Sequence, residues 1–217
     1  MTARDPQRLP LTGAVLAGGR ARRFGGFDKT EIRLGPDRLR DRLVRLLEGF
    51  CDEVLISSNT LAEKAGVRVV PDQKTGQGPL GAIASCLAAA RHPWLLVVAG
   101  DMPFIAAPAL IHLWQEREKA DIVIPRSPDG LQPLAALYHR RCLPAVTRQL
   151  AAKNYKIKDF FPAVRVRTVL CADHPGLYPE TAFLNINSPD DLARADRILN
   201  HNPAGPRQPG RNPGKTN

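Results

Sequence analysis

An α/β fold, with a mostly parallel sheet covered by helices on both faces, is predicted by three features of the chain. Short β-forming runs recur, helical patterns separate them, and the central run Trp94–Ala99 is apolar throughout, as a strand buried on both faces requires. The order opens with a strand at Ala14–Leu16. A helix follows, in which Leu39, Leu43, Leu46, Leu47 and Phe50 recur on one face at helical spacing. Strands Glu53–Ser57 and Arg68–Val70 come next. Gly78-Pro79 opens a second helix with Leu80, Ile83, Ala84, Leu87 and Ala88 on its apolar side, since proline suits a first helical turn. Strand Trp94–Ala99, a helix containing Ile111–Trp114, and strands Asp121–Pro125, Leu134–Tyr138 and Arg165–Leu170 continue the body. Ser188-Pro189-Asp190 caps a last helix running to Leu199.

With 217 residues, 43% hydrophobic and 24% charged, the chain can bury a full core without disulfide or metal staples. The boundaries expected are a short N-terminal extension over 1–11, one domain over 12–200, and a tail over 201–217. That tail holds four prolines, three glycines and no acidic residue, and reads as disordered. The apolar run Ala14–Ala17 is too short for a signal-peptide core, and nothing approaches a membrane span. Cys51, Cys86, Cys142 and Cys171 form no CxxC and no zinc-site spacing. Reduced thiols in a cytoplasmic protein are the expectation.

The formal charge is +10, and Arg207, Arg211 and Lys215 of the tail supply three of those charges. A positive field draws nucleic acid and anionic small molecules alike. Aromatic residues make up only 6%, and no run interleaves Phe or Tyr with Lys or Arg, which argues against a nucleic-acid stacking platform. One basic cluster stands out, Arg20, Arg22 and Arg23 within the glycine-rich run Gly18–Lys29.

Ligands of open α/β sheets bind beyond the carboxyl ends of the strands, and four stretches fall there. Leu16-Ala17-Gly18-Gly19 leads into the Arg23 and Lys29 loop, where glycines let backbone N–H groups approach phosphate, Arg offers a planar fork and Lys a point charge. It is neither the dinucleotide fingerprint nor the P-loop, and a plain surface loop is the competing reading. Pro71-Asp72 offers a carboxylate that can accept paired N–H donors such as a guanine edge presents; a turn residue is the alternative. Gly78-Pro79-Leu80 starts a helix whose N–H groups face outward. Asp101 directly follows the apolar strand, in Ala99-Gly100-Asp101-Met102-Pro103. One carboxylate with substrate phosphates and water is a usual setting for Mg²⁺, against the reading of Asp101 as a turn cap.

In combination, Leu16-Ala17-Gly18-Gly19 with Arg23, Gly25-Gly26 and Asp28-Lys29, then Pro71-Asp72, Gly78-Pro79-Leu80, Asp101-Met102-Pro103 and Phe183-Leu184-Asn185-Ile186-Asn187-Ser188-Pro189 resemble the molybdenum cofactor guanylyltransferase family. The resemblance covers about residues 12–199. It implies a single nucleotide-binding, Rossmann-like domain of nucleotidyltransferase type. It further implies transfer of GMP from GTP to molybdopterin, giving molybdopterin guanine dinucleotide and pyrophosphate with Mg²⁺. Carried over by motif, Leu16, Ala17 and Gly18 contact GTP, Lys29 its phosphates, Asp72 the nucleotide, and Asp101 both nucleotide and metal. Ser57 and Asn59, which flank another nucleotide-contact position, are candidate substrate contacts together with Gly78, Pro79, Leu80, Asn185 and Asn187. Arg23, Lys29 and Asp101 are the residues expected to carry catalysis. The partners implied are GTP, molybdopterin, other cofactor-biosynthesis proteins and molybdoenzyme chaperones, met by a monomer without nucleic acid or membrane.

The residues suit that chemistry. A phosphate monoester nucleophile is already largely anionic at neutral pH, its second pKa being about 6, and none of the five histidines falls in a motif. Positioning and charge cancellation are what the transfer needs. The competing readings are cytidylyl transfer to molybdopterin, a sugar-1-phosphate nucleotidyltransferase, and a basic GTP- or RNA-binding protein without turnover. Leu16-Ala17-Gly18-Gly19 favours the guanylyl branch, where relatives using other bases tend to read Ala-Ala-Gly.

Overall fold

Alternation of side chains along the central strands decides how the layers form. In β1 (Leu9–Leu16), Leu11 and Val15 join one core cluster while Ala14 and Leu16 join another. In β6 (Trp94–Ala99), Leu96 and Val98 face the first, Leu95 and Val97 the second. Both faces of the sheet are therefore apolar and both need cover. The computed structural model describes residues 8–17, 32–61 and 66–201. The glycine-rich loop with Gly18, Arg23 and Lys29, and the tail from 202 onward, lie outside the described residues.

The remaining strands are β2 (Arg33–Leu34), β3 (Asp37–Arg38), β4 (Cys51–Ser57), β5 (Arg68–Val70), β7 (Ile122–Ser127), β8 (Gly130–Leu131), β9 (Ala135–His139) and β10 (Val166–Leu170). Among the described residues the main sheet has the order β10-β7-β9-β6-β1-β4-β5, with β8 on β7, and β2 and β3 form a separate hairpin. Its pairings are parallel except those of β9 with β6 and β7, and of β8 with β7. Helices α1 (Leu39–Glu48) and α3 (Ala107–Gln115) cover one face, burying Leu43 and Leu47, and Leu110 and Leu113. On the other face lie α2 (Gly78–Ala89), α4 (Leu143–Ala151) and the 3-10 segment Ile157–Ala163. Every residue of α2 from Leu80 to Leu87 is buried, as a helix enclosed between sheet and further helices must be. No described helix is long and apolar enough to cross a membrane.

The expected mostly parallel α/β sheet is what the structure has. β5 and β6 keep their expected bounds, while β1 starts at Leu9. Leu9–Leu11 thus belong to the sheet and not to an N-terminal extension: Leu9 N donates to Phe50 O at 2.8 Å, and Leu11 is fully buried. The pairing slips between Leu9 and Thr12, around Pro10, which has no N–H for the ladder. The short strands β2, β3 and β8 and the helix α4 were not anticipated from periodicity.

Asp121, just before β7, ties the far edge together. Its carboxylate accepts from Arg141 Nε at 2.7 Å and from Arg165 Nε and Nη2 at 3.0 and 3.1 Å. The Arg165 guanidinium, with Arg141, holds this carboxyl well below the usual carboxylate range. A lowered folded-state pKa stabilises at pH above the unfolded value, and that stability is lost as pH falls through the folded value. Removing a buried partner of an ion pair costs 3–5 kcal/mol, but the arginines are 54% and 62% exposed, so about 2–3 kcal/mol is expected for Asp121→Ala. At neutral pH that lowers Tm by about 5–10 °C. Thermal unfolding against pH should show the gap from wild type shrinking below about pH 4.

Candidate active site

Parallel register brings four carboxyl ends into one row. Leu16 pairs with Ser57 on one side and Ala99 on the other, and Ser57 pairs with Val70. Past the last ladder residues the row is continued by Ala17 N donating to Ser57 O at 2.9 Å, Ser58 N to Val70 O at 3.1 Å, and Gly100 N to Leu16 O at 3.0 Å. A Cβ on Gly100 would stand 3.0 Å from Leu16 O, so a side chain there would push β6 and β1 apart. Because β9 runs antiparallel, its amino end reaches the same edge, where Leu134 O accepts from Ala99 N at 2.8 Å.

The acids of the sheet stand in two different settings. Glu53, at the opposite end of β4, accepts from Thr12 Oγ1 at 2.8 Å and Arg91 N at 2.7 Å and pairs with Arg68 at 3.1 Å. Asp121 is enclosed by two arginines. Both serve the fold. At the carboxyl edge stand Asp72 after β5 and Asp101 after β6, each half-buried.

The motif Phe183–Pro189 supports Asp101 from behind. Ile186 is fully buried against Leu34, Leu39 and Ala195, and its N–H donates to Asp101 O at 2.9 Å. Ser188 caps α5 (Pro189–His201): Asp191 N donates to Ser188 Oγ at 3.2 Å. Asp191 Oδ2 in turn accepts from Ser188 Oγ at 2.8 Å and Asn187 N at 3.0 Å, a reciprocal cap. Asn185 and Asn187, expected as substrate contacts, therefore flank the residue that anchors the Asp101 loop.

Asp72 is held by Asn59, whose Nδ2 donates to Asp72 Oδ2 and whose Oδ1 accepts from Asp72 N, both at 2.8 Å. Ser57 is buried, with its side chain within hydrogen-bonding reach of the Cys86 thiol, and burial pushes that thiol up to about 12. Leu80 is fully buried in the core under α2. Gly78, at the start of α2, has φ +61°, a backbone state that favours glycine, and Pro79 beside it is exposed. Leu16, Ala17, Asn59, Asp72 and Asp101 thus lie along one edge, while Ser57 and Leu80 turn into the protein.

No histidine lies in this row among the described residues. His92 pairs with Asp52 at 2.8 Å and His139 meets Trp94 edge to face at the opposite end of β6. His112 meets Tyr178 OH at 3.1 Å on α3. A cavity of about 220 Å³ lined by Glu116, Arg167 and His174 borders β10, far along the sheet, and contains none of the candidate residues. Sequence reasoning passed over Ser85, which bonds the loop of Asp72: Gln73 N donates to its Oγ at 3.0 Å. The signal was available, since Ser85 is the one hydroxyl in the apolar run Leu80–Leu87.

Residues 13–169 match the family model described as the MobA-like NTP transferase domain. A "probable molybdenum cofactor guanylyltransferase" of Pelotomaculum thermopropionicum is 38% identical over 197 residues, covering 89% of this chain and 95% of its own. A molybdenum cofactor guanylyltransferase of Desulfosudis oleivorans is 33% identical, covering 87% and 96%. The solved molybdopterin-guanine dinucleotide biosynthesis protein A of Archaeoglobus fulgidus superposes with a TM-score of 0.77 at 27% identity, over 88% of this chain and 99% of that one. The 2-C-methyl-D-erythritol 4-phosphate cytidylyltransferase of Thermus thermophilus, at 17% identity, TM-score 0.65 and 87% and 98% coverage, shares the fold.

Proposed function

Since this chain belongs to the MobA-like NTP transferase family and is an enzyme of the nucleotidyltransferase kind, we propose that it transfers GMP from GTP to molybdopterin, releasing pyrophosphate. The observation that supports this reading is the placement of Asp72 and Asp101 at the two ends of the row β5-β4-β1-β6. Three strand spacings of about 4.8 Å set these positions roughly 14 Å apart, room for a nucleotide lying across the row. The base then sits toward Asp72 and the phosphates toward Asp101.

In this arrangement Asp72 accepts hydrogen bonds from guanine N–H groups. Ala17, just after β1, contacts the nucleotide, and the role assigned to Gly18, Arg23 and Lys29, from their chemistry, is to bind the triphosphate. The acceptor phosphate needs no base, and no histidine stands in the row to act as one. Asp101 contributes a hard oxygen ligand at the phosphate end. Among the described residues no cluster of three His, Cys, Asp or Glu could hold a metal, so one carboxylate completed by substrate oxygens is the set that fits Mg²⁺. When bound, Mg²⁺ supplies neutralisation of the charge that develops on the departing pyrophosphate.

The test is to incubate the purified protein with Mg²⁺, molybdopterin and each nucleoside triphosphate in turn, and to identify products by mass. Molybdopterin guanine dinucleotide with one equivalent of pyrophosphate is expected. No dinucleotide from any triphosphate would overturn the reading.

A further inference from the structure

Asn59 was expected to lie beside a nucleotide contact, but both polar atoms of its amide are bonded to one residue, Asp72. Asp72 N–H can only donate, so the atom facing it at 2.8 Å must be the amide oxygen, which leaves the amide nitrogen to donate to Asp72 Oδ2 at 2.8 Å. The orientation of Asn59 is thus set by its partners and not chosen freely. Both ends of one side chain grip both the backbone and the carboxylate of one residue.

This clasp spans a gap that the sheet does not bridge. β4 and β5 stay paired through Ser57 and Val70, and one further bond joins Ser58 N to Val70 O; past that the two chains separate. Ser58, which is buried, shapes the departing turn, its Oγ accepting from Thr60 N and Leu61 N, each at 3.2 Å. That turn presents Asn59. On the far side, Ser85 Oγ donates its one proton to Gly81 O at 3.0 Å and so accepts from Gln73 N at 3.0 Å. The consecutive N–H groups of Asp72 and Gln73 are held by side chains from two different elements. Asp72 Oδ1 has no protein partner among the described residues.

We propose that Asn59 is a positioning residue that aims the Asp72 carboxylate at the nucleotide base, with Ser58 and Ser85 holding the frame around it. The inference rests on the reading of Asp72 as the base acceptor. Asn59 is exposed, so its two bonds do little for global stability. Their effect is to remove the rotamer freedom of a short carboxylate on a loop and to fix which oxygen points outward. Preorganised acceptors of this kind act on binding and discrimination more than on the chemical step.

The experiment is a double-mutant cycle on the full chain, reading KM and kcat for GTP, calorimetric GTP binding, and GTP-over-CTP selectivity. Asn59→Ala is expected to raise KM and Kd for GTP about tenfold, roughly the loss of one to two net hydrogen bonds, with kcat changed less than about twofold and selectivity reduced. Asp72→Ala is expected to weaken GTP at least as much. In the Asp72→Ala background, Asn59→Ala should add nothing, because its target is gone. Asn59→Asp should be no better than Asn59→Ala: it keeps the acceptor for Asp72 N but sets a carboxylate against Oδ2. Additive effects in the double variant would make Asn59 a nucleotide contact and overturn the positioning role. Unchanged GTP parameters in Asn59→Ala, with Asp72→Ala impaired, would overturn it too while leaving Asp72 in place. A silent Asp72→Ala would remove the base-acceptor reading and this inference with it.

Discussion

Replacing Asp101 by Ala is expected to lower kcat at least ~10²-fold with the fold intact, the size of loss seen when one preorganised charge stabiliser is removed. The structural ground for an intact fold is that the loop is anchored through its backbone: Ile186 N–H donates to Asp101 O, and Ala99 and Gly100 are pinned to Leu134 and Leu16. None of these bonds uses the carboxylate. Lys29→Ala should cost a similar factor, about 3–4 kcal/mol of transition-state stabilisation. The two separate on metal response. Asp101→Asn should raise the Mg²⁺ concentration needed for half-maximal rate, because a neutral amide is a poorer ligand for a hard cation than a carboxylate. Lys29→Ala should slow turnover with little change in that requirement. The measurement is kcat against free Mg²⁺, with circular dichroism on each variant. Wild-type activity in Asp101→Ala, or an unmoved Mg²⁺ midpoint in Asp101→Asn, would leave Asp101 as a turn residue.

Discrimination between GTP and CTP is expected to reach ~10⁴-fold in kcat/KM. A site built to pair a substrate N–H rejects an analogue lacking it by far more than an apolar pocket can reject a missing methylene, because its polar groups are left unpaired. Asp72 is the acceptor that this prediction uses, held at 2.8 Å by Asn59. The same selectivity, measured in parallel with GTP and CTP under saturating molybdopterin, decides between the guanylyl and cytidylyl readings. Equal turnover would move the protein to the other branch and take Asp72 out of base recognition.

The elements read most accurately from the sequence were those whose signal is local. Trp94–Ala99 is six apolar residues ended by Gly100 and Asp101, and β6 has those bounds. The α1 stripe Leu39, Leu43 and Leu47 is buried, and Ser188 caps α5 through Asp191. β1 extends back to Leu9 although Pro10 and Gly13 argue against a strand. There, Gly13 leaves room for α1, since a Cβ would lie 3.1 Å from Leu47 and from Cys51 Sγ. α4 bears Leu143, Val146 and Leu150 at helical spacing, but Val146 alone is fully buried while Leu143 and Leu150 are only partly covered, and the helix owes its place to packing on α2.

By itself, the sequence determined which chemistry is available: a glycine- and arginine-rich loop, two strand-end carboxylates, no histidine in a motif, and a strand–helix alternation that yields this sheet. These follow from residue type and short spacing, which the chain carries locally. The tertiary structure alone decided which of the candidate residues share one edge of the sheet and which are turned into the core. Ser57 and Asn59 are two positions apart, yet one turns under α2 toward Cys86 and the other reaches across to Asp72. Leu80 sits in a suggestive motif and is core. Ile186 lies 85 residues from Asp101 in the chain and holds its carbonyl. Strand register and the direction of β9 set those outcomes, and both arise from long-range pairing that no local pattern encodes.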